Sequence, residues 1–141
     1  MALNWCYNEP WPCVANNSLL SYPAAPKKAY HAAAQSCRPV LLSARLNRFS
    51  YKADDLFEAV IWLLNDSPVD IEPGKAIVTL TLGKNSYNLT EWEYGKAKAG
   101  QNIEGPRVSM QLPLAAADCL ILTINAGEYS SEYRLLYRLG A

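Results

Sequence analysis

The chain has 141 residues, half of them apolar and 18% charged, which fits one globular domain with an appendage. Thirteen basic and thirteen acidic side chains balance, so the composition gives no electrostatic footprint for nucleic acid or an anionic membrane. No apolar run approaches the roughly 20 residues of a membrane span. The N-terminus has no signal-peptide pattern, so we expect a cytoplasmic location for the chain as given, with a secreted or periplasmic location left open for a longer parent protein.

The cysteine pattern argues against a metal site. Four cysteines lie at positions 6, 13, 37 and 119 without forming a C-x-x-C pair, and the single histidine, His31, is apart from them. Structural zinc needs more closely spaced ligands, so neither a metal nor another cofactor is expected. One disulfide is an alternative, but reduced, mostly buried thiols fit a cytosolic protein better.

The chain opens with an aromatic segment, Asn4 to Pro12, in which two tryptophans, two prolines and one carboxylate occur within nine residues. After a polar turn, Lys27 to about Cys37 is predicted to form a short helix, because apolar residues recur at helical spacing. Pro39 ends this helix. A short, alanine-rich helix buries little surface alone. Residues 1–38 are therefore interpreted as a strand end, a loop and a helix that need a larger partner surface.

From residue 39 onward the hydrophobic period changes to two, which indicates strands. Seven strands are predicted, near residues 40–46, 56–64, 76–82, 87–94, 107–112, 120–124 and 133–138. Strong turn signals such as Asn65-Asp66-Ser67-Pro68 separate them. We also expect Trp62 to lie in the core, because its strand is apolar. Short strands without crossover helices predict an all-β fold for residues 39–141: an immunoglobulin-like antiparallel β-sandwich of about seven strands, with an up-and-down barrel as the alternative.

Glu9 is the one candidate catalytic acid, since Asn-Glu-Pro is how many glycosidases present a general acid at a barrel strand end. Retaining hydrolysis needs a second carboxylate about 5–5.5 Å away. An acid-bearing barrel strand would also require on the order of 100 further residues of barrel. One helix and a sandwich follow instead. Glu9 is therefore expected to be a loop carboxylate that caps nearby backbone amides.

Aromatic residues supply the candidate binding surfaces. Trp5 and Trp11 could stack on a sugar face or pack as the end of a strand, and the sequence leaves both open. Trp92 and Tyr94 form a possible sugar platform, because Trp92 is flanked by Glu91 and Glu93.

The ordered motifs resemble the C-terminal part of glycoside hydrolase family 2, in its β-mannosidase-like and β-galactosidase-like branches. They are Trp5-x-x-Asn8-x-x-Trp11-Pro12, Asn17-Ser18-Leu19, Tyr22, Pro26-Lys27-x-Ala29-Tyr30 and Arg38-Pro39-Val40. In that family the stretch is the eighth strand, loop and last helix of the catalytic (β/α)₈ barrel, directly followed by a β-sandwich. The resemblance therefore implies that residues 1–38 are a remnant of the barrel end.

The resemblance also implies roles for individual residues. Trp5 matches the tryptophan that lines the floor of the −1 sugar subsite, and Asn8 and Trp11 match positions flanking the active-site mouth. Glu9 departs from the commoner Asn-Asp and matches neither catalytic carboxylate. Those acids would lie upstream of Met1, at the ends of the fourth and seventh barrel strands. The chain is then expected to be inactive alone, although its parent is a retaining β-glycosidase.

Three functions remain open from the sequence. The first is a non-catalytic accessory sandwich that buttresses the catalytic barrel of the same polypeptide and shapes its substrate cleft. The second is a free-standing carbohydrate-binding module, and the third is a sandwich for self-association. Nucleic acid and membrane are not expected as partners.

Overall fold

The structure is a computed structural model that describes residues 6–13 and 17–138. The chain divides into two compact units, residues 1–38 and residues 39–141. Each unit has its own secondary structure and is described separately.

The described residues of the first unit, 6–13 and 17–38, contain two very short strands and one helix. Strand β1 (Leu20–Ser21) pairs antiparallel with β2 (Ala25–Pro26), and α1 (Lys28–Ser36) follows. The predicted helix is thus confirmed, with each end within one residue of the expected position. None of its residues is fully buried. Packing of its own side chains therefore contributes little to its stability.

Residues 39–138, the part of the second unit that the structure describes, form eight strands in two sheets. The strands are β3 (Val40–Leu46), β4 (Ser50–Lys52), β5 (Leu56–Asn65), β6 (Gly74–Leu82), β7 (Asn85–Tyr94), β8 (Asn102–Gln111), β9 (Cys119–Ala126) and β10 (Tyr129–Arg138). One sheet has the order β4-β10-β9-β6-β7 and the other the order β3-β5-β8. All pairings are antiparallel except that of β4 with β10. The seven predicted strands are confirmed, whereas the short parallel strand β4 was not predicted.

The core follows the period-two pattern of the strands. On β5, Phe57, Ile61 and Leu63 are completely buried, and Glu58 lies on the opposite face. Side chains from both sheets, including Val78 of β6, belong to one buried apolar cluster. Burying each such side chain stabilises the fold by about 1.5–3 kcal/mol relative to exposure. The molecule is therefore mostly β, with several sheets, and is consistent with an all-β sandwich.

Two expectations about burial are wrong. Trp62 is half-buried and shares the outer face of β5 with Glu58, because side chains alternate along the strand and its neighbours Ile61 and Leu63 point into the core. The cysteines are not mostly buried either: Cys6, Cys37 and Cys119 are exposed, and Cys13 is half-buried.

Candidate functional site

Backbone hydrogen bonds tie the opening segment to strand β1. Tyr7 O accepts from Leu19 N at 3.0 Å and from Leu20 N at 2.9 Å, and Glu9 N donates to Leu20 O at 3.0 Å. Asn8 forms an isolated parallel bridge with Leu20, while its side chain is exposed. The backbone is therefore fixed on both sides of Asn8, and this positions the Glu9 side chain.

Glu9 is the centre of a polar cluster in the first unit. Its carboxylate is only 6% exposed. Lys27 Nζ lies 2.5 Å from Oε1, Ser18 Oγ donates to Oε1 at 3.3 Å, and Tyr22 N donates to Oε2 at 3.1 Å. Lys27 Nζ also donates to Ser18 Oγ at 3.0 Å. The expectation that Glu9 caps a backbone amide is confirmed by Tyr22. The ion pair with Lys27, 18 residues away, was not anticipated.

These contacts stabilise the ionised form of Glu9. The hydrogen bond from Lys27, with that from Tyr22 N, lowers the pKa of the carboxyl below its ordinary value of 4.5. An ionised carboxylate has no proton to donate to a leaving group. Glu9 is also the only acidic side chain in residues 1–38, so this unit holds no second carboxylate for a catalytic pair. The geometry of Glu9 is that of an anchor for the loop.

Trp5, Asn8 and Trp11 are the sugar-binding candidates of the first unit. Trp5 lies outside the described residues. Trp11 is 64% exposed, and Tyr7 and Tyr22 are 59% and 49% exposed. Aromatic rings at this exposure leave apolar surface open to a ligand. The unit thus presents Asn8 and Trp11 to solvent and keeps Glu9 inside.

Trp92 and Tyr94 on β7 are engaged in packing. Their rings meet at 61° with centroids 5.6 Å apart. A Cβ at Gly105 on β8 would lie 2.8 Å from the Trp92 ring, so this ring covers the glycine. Tyr94 is 7% exposed, and its ring covers Gly74, its direct partner in the β6–β7 pair. Both rings thus occupy the space that a Cβ on these strand glycines would fill. The Tyr94 ring is therefore packed in the interior, and only the exposed 7% of the residue remains open to a ligand.

A groove that the sequence did not predict lies beside Tyr94. Its volume is about 560 Å³, and its walls are residues 69–72, Tyr94 and residues 126–129. Residues 126–129 form the β9–β10 hairpin turn, in which Ala126 and Tyr129 pair and Gly127 has a φ of 65°. Glycine accepts this left-handed conformation without steric cost. Residues 69–72 are held by two Ile71–Ala97 backbone bonds of 2.8 and 2.9 Å. Three segments distant in sequence thus build the groove, and no local motif could indicate it.

The groove is acidic and carries two tyrosines. A hydrogen bond from Ala99 N lowers the pKa of Asp70, and Lys96 adds to the effect. Burial raises the pKa of both Tyr94 and Tyr129, and the nearby Glu128 carboxylate raises both further. Both phenols therefore keep their protons at neutral pH.

Two further findings limit the chemistry of the described part of the chain. Residues 6–13 and 17–138 contain no group of three or more His, Cys, Asp or Glu side chains arranged to hold a metal. Within the same ranges, no helix is long and apolar enough to cross a membrane.

Comparisons with known proteins do not assign a family. No family model matches the chain, and no curated protein matches it. Among solved structures, it is similar to an alkylpurine DNA glycosylase, AlkC, of Pseudomonas fluorescens bound to DNA with an abasic site analogue (8% identity, TM-score 0.49, covering 71% of this chain and 30% of that one). It is also similar to the sporulation control protein Spo0M of Bacillus subtilis (9% identity, TM-score 0.45, covering 72% and 50%). The chain thus spans half or less of the length of these proteins. Neither of them is a family 2 glycoside hydrolase, and similarity at this level carries no argument about function.

Proposed function

We propose that this chain is a non-catalytic β-sandwich domain of a family 2 glycoside hydrolase, preceded by the end of that enzyme's catalytic barrel. In this role the sandwich buttresses the (β/α)₈ barrel of the same polypeptide. Trp5, Asn8 and Trp11 then line the sugar cleft. The catalytic carboxylates belong to barrel strands that are not in this chain.

The observation that carries this proposal is the Glu9 cluster. Ser18, Tyr22 and Lys27 are positions on which the family resemblance rests. Ser18 and Lys27 contact the Glu9 carboxylate with their side chains, and Tyr22 contacts it through its backbone N–H. Motif residues that are far apart in sequence and contact one buried anion are expected of a loop with a fixed conformation. The same contacts keep Glu9 ionised, which suits an anchor and does not suit a general acid.

The strand order supports an immunoglobulin-like type for the sandwich. In that fold strands A, B and E share one sheet, and strands C, F and G share the other. The order β3-β5-β8 corresponds to A-B-E, and β6-β9-β10 corresponds to C-F-G. Strand β7 then takes the place of the strand that variable-type domains add beside C. By this correspondence, β4 is a second part of strand A that crosses to the other sheet and pairs with G.

The alternative of a free-standing carbohydrate-binding module loses its expected platform. A stacking platform requires an open ring face, whereas Tyr94 is 7% exposed and Trp92 lies over Gly105.

Turnover measurements test the proposal. The chain as it stands should release no aryl alcohol from aryl β-mannosides or aryl β-galactosides above the uncatalysed rate. The Glu9→Gln variant should behave identically, because the carboxylate is structural. Glu104→Gln, which changes an exposed carboxylate of β8, is the control. The proposal would be refuted if the chain showed turnover that is lost in Glu9→Gln and kept in Glu104→Gln.

A further inference from the structure

The groove between the β9–β10 hairpin and residues 69–72 has the dimensions of a ligand site. Its volume of about 560 Å³ falls within the roughly 300–1,000 Å³ of small-molecule pockets. Ile71 and the ring of Tyr129 provide apolar surface, and both side chains are at least half-buried. The groove is independent of the Glu9 cluster and of the glycosidase assignment, because every wall residue lies in the second unit.

The charge of the groove is unbalanced. Asp70 and Glu72 share one lysine, with Lys96 Nζ 3.2 Å from Asp70 and 3.0 Å from Glu72. Glu128, from the hairpin turn, forms no salt bridge with any residue of the described ranges. Three carboxylates are therefore opposed by two ammonium groups, since Lys98 also acts electrostatically on Asp70, and one negative charge remains. An anionic ligand would be repelled, and a cationic ligand would be attracted.

Tyr94 adds a buried polar group to this charge. Its side chain is more than nine-tenths buried, and its hydroxyl engages no group in the described part of the chain. No side-chain oxygen or nitrogen there is both completely buried and without a partner, so the hydroxyl must reach the surface. Tyr94 lines the groove, and the hydroxyl is thus available to a molecule bound in it. A phenol oxygen can accept one hydrogen bond while its proton is donated elsewhere.

We propose that this groove binds a small primary ammonium compound, whose –NH₃⁺ group lies between the Glu128 carboxylate and the Tyr94 hydroxyl. The ammonium group has three N–H donors, which the carboxylate and the phenol oxygen accept. The alkyl chain then lies along Ile71 and the Tyr129 ring. A sugar hydroxyl could reach the same oxygens, but it would gain nothing from the net negative charge.

The test is a titration of the ¹⁵N-labelled full chain, followed by amide chemical shifts, with n-butylammonium chloride at constant ionic strength. A ligand of five heavy atoms gives a Kd on the order of 1–100 mM at the ligand efficiencies open to small molecules. We expect saturable shifts confined to residues 69–72, 94 and 126–129. The uncharged isostere n-butanol, which has a hydroxyl in place of the ammonium group, should cause no such shifts, and methyl β-mannoside should cause none.

Two variants and a control identify the contacts. Glu128→Gln should raise the Kd about 1.4- to fivefold, the range for an exposed charge pair. Tyr94→Phe should raise it about threefold, because the ring over Gly74 stays and one hydrogen bond is lost. Glu104→Gln removes an exposed carboxylate of β8 that is not part of the groove and should leave the Kd unchanged.

Three results would overturn the inference. The first is an equal response to n-butanol, which would mean that charge plays no part. The second is unchanged affinity in Glu128→Gln, whose exposed position in the turn keeps the fold intact. The third is saturable binding of methyl β-mannoside at these amides without binding of butylammonium, which would make the groove a sugar site. None of these results bears on the turnover measurements.

Discussion

Asn65 is the polar residue whose replacement should cost the most stability. It ends β5, is completely buried, and has both ends of its amide engaged. Its Nδ2 donates to the carbonyl oxygens of Val69, Ala97 and Lys98 at 2.9, 3.2 and 3.0 Å. Its Oδ1 accepts from Ser67 N at 3.1 Å and from Ser67 Oγ at 2.6 Å. One side chain thus connects the turn after β5 with the segment after β7.

The magnitude follows from the number of bonds. The amide has two N–H donors and two acceptor lone pairs, so it satisfies four hydrogen bonds at once. Each contributes about 0.5–1.5 kcal/mol net, which gives about 4 kcal/mol for Asn65→Ala. Asn65→Asp should cost at least as much, because its carboxylate would face the carbonyls of Ala97 and Lys98 without a donor. Ser67→Ala removes a hydroxyl that donates to Asn65 Oδ1 at 2.6 Å and accepts from Val69 N at 3.4 Å, and it should cost about 1–2 kcal/mol.

Urea unfolding of the full chain, followed by far-UV circular dichroism, measures these free energies. Amide shifts of residues 69–72 in folded Asn65→Ala should also move, because Val69 loses its anchor. A loss below about 1 kcal/mol in Asn65→Ala would refute the reasoning, since typical surface substitutions stay within about 0.5 kcal/mol.

Two further predictions concern the Glu9 cluster and the glycine beneath Trp92. The carboxyl ¹³C shift of Glu9 should titrate below pH 4.5, and Lys27→Met should move its pKa upward. Because the folded-state pKa of Glu9 is lowered, the stability that Glu9 confers is full above its unfolded pKa and is lost as pH falls through the folded pKa. Glu9→Gln should remove this pH dependence of the free energy of unfolding. An acid unfolding transition that is unchanged in Glu9→Gln would contradict the prediction. Gly105→Ala should cost about 1–3 kcal/mol in urea unfolding, because its Cβ would lie 2.8 Å from the Trp92 ring. Gly95→Ala, whose Cβ would meet nothing within 4 Å, is the matched control, and equal costs for the two would contradict this packing.

Local periodicity was sufficient to predict the long strands. On β5 the buried Phe57 and Ile61 alternate with Glu58, and this alternation is visible without any knowledge of the neighbouring strands. The same rule, applied strictly, places Trp62 on the outer face, and its apolar neighbours alone suggested the core. Strand β4 has three residues and pairs in parallel with β10 far along the chain, so its own sequence contains too little pattern to identify it.

The functional residues were harder to predict because their environment comes from distant segments. Glu9 could be recognised as a loop carboxylate, but Lys27 is 18 residues away and lies beyond two turns. The burial of Tyr94 depends on Gly74 in the neighbouring strand β6. The sequence of β7 alone does not indicate that these two residues pair. The groove combines a turn, a strand end and a loop that lie up to about 60 residues apart in sequence. Pairing in three dimensions, and not local propensity, brings these groups together.

The coding sequence immediately upstream of Met1 tests the central claim most directly, because the claim makes this chain the end of a longer glycosidase. The account predicts a continuous reading frame that encodes the first seven strands of a (β/α)₈ barrel, with a glutamate at the ends of the fourth and seventh strands. An in-frame stop codon directly before Met1, or a frame without these two glutamates, would contradict it.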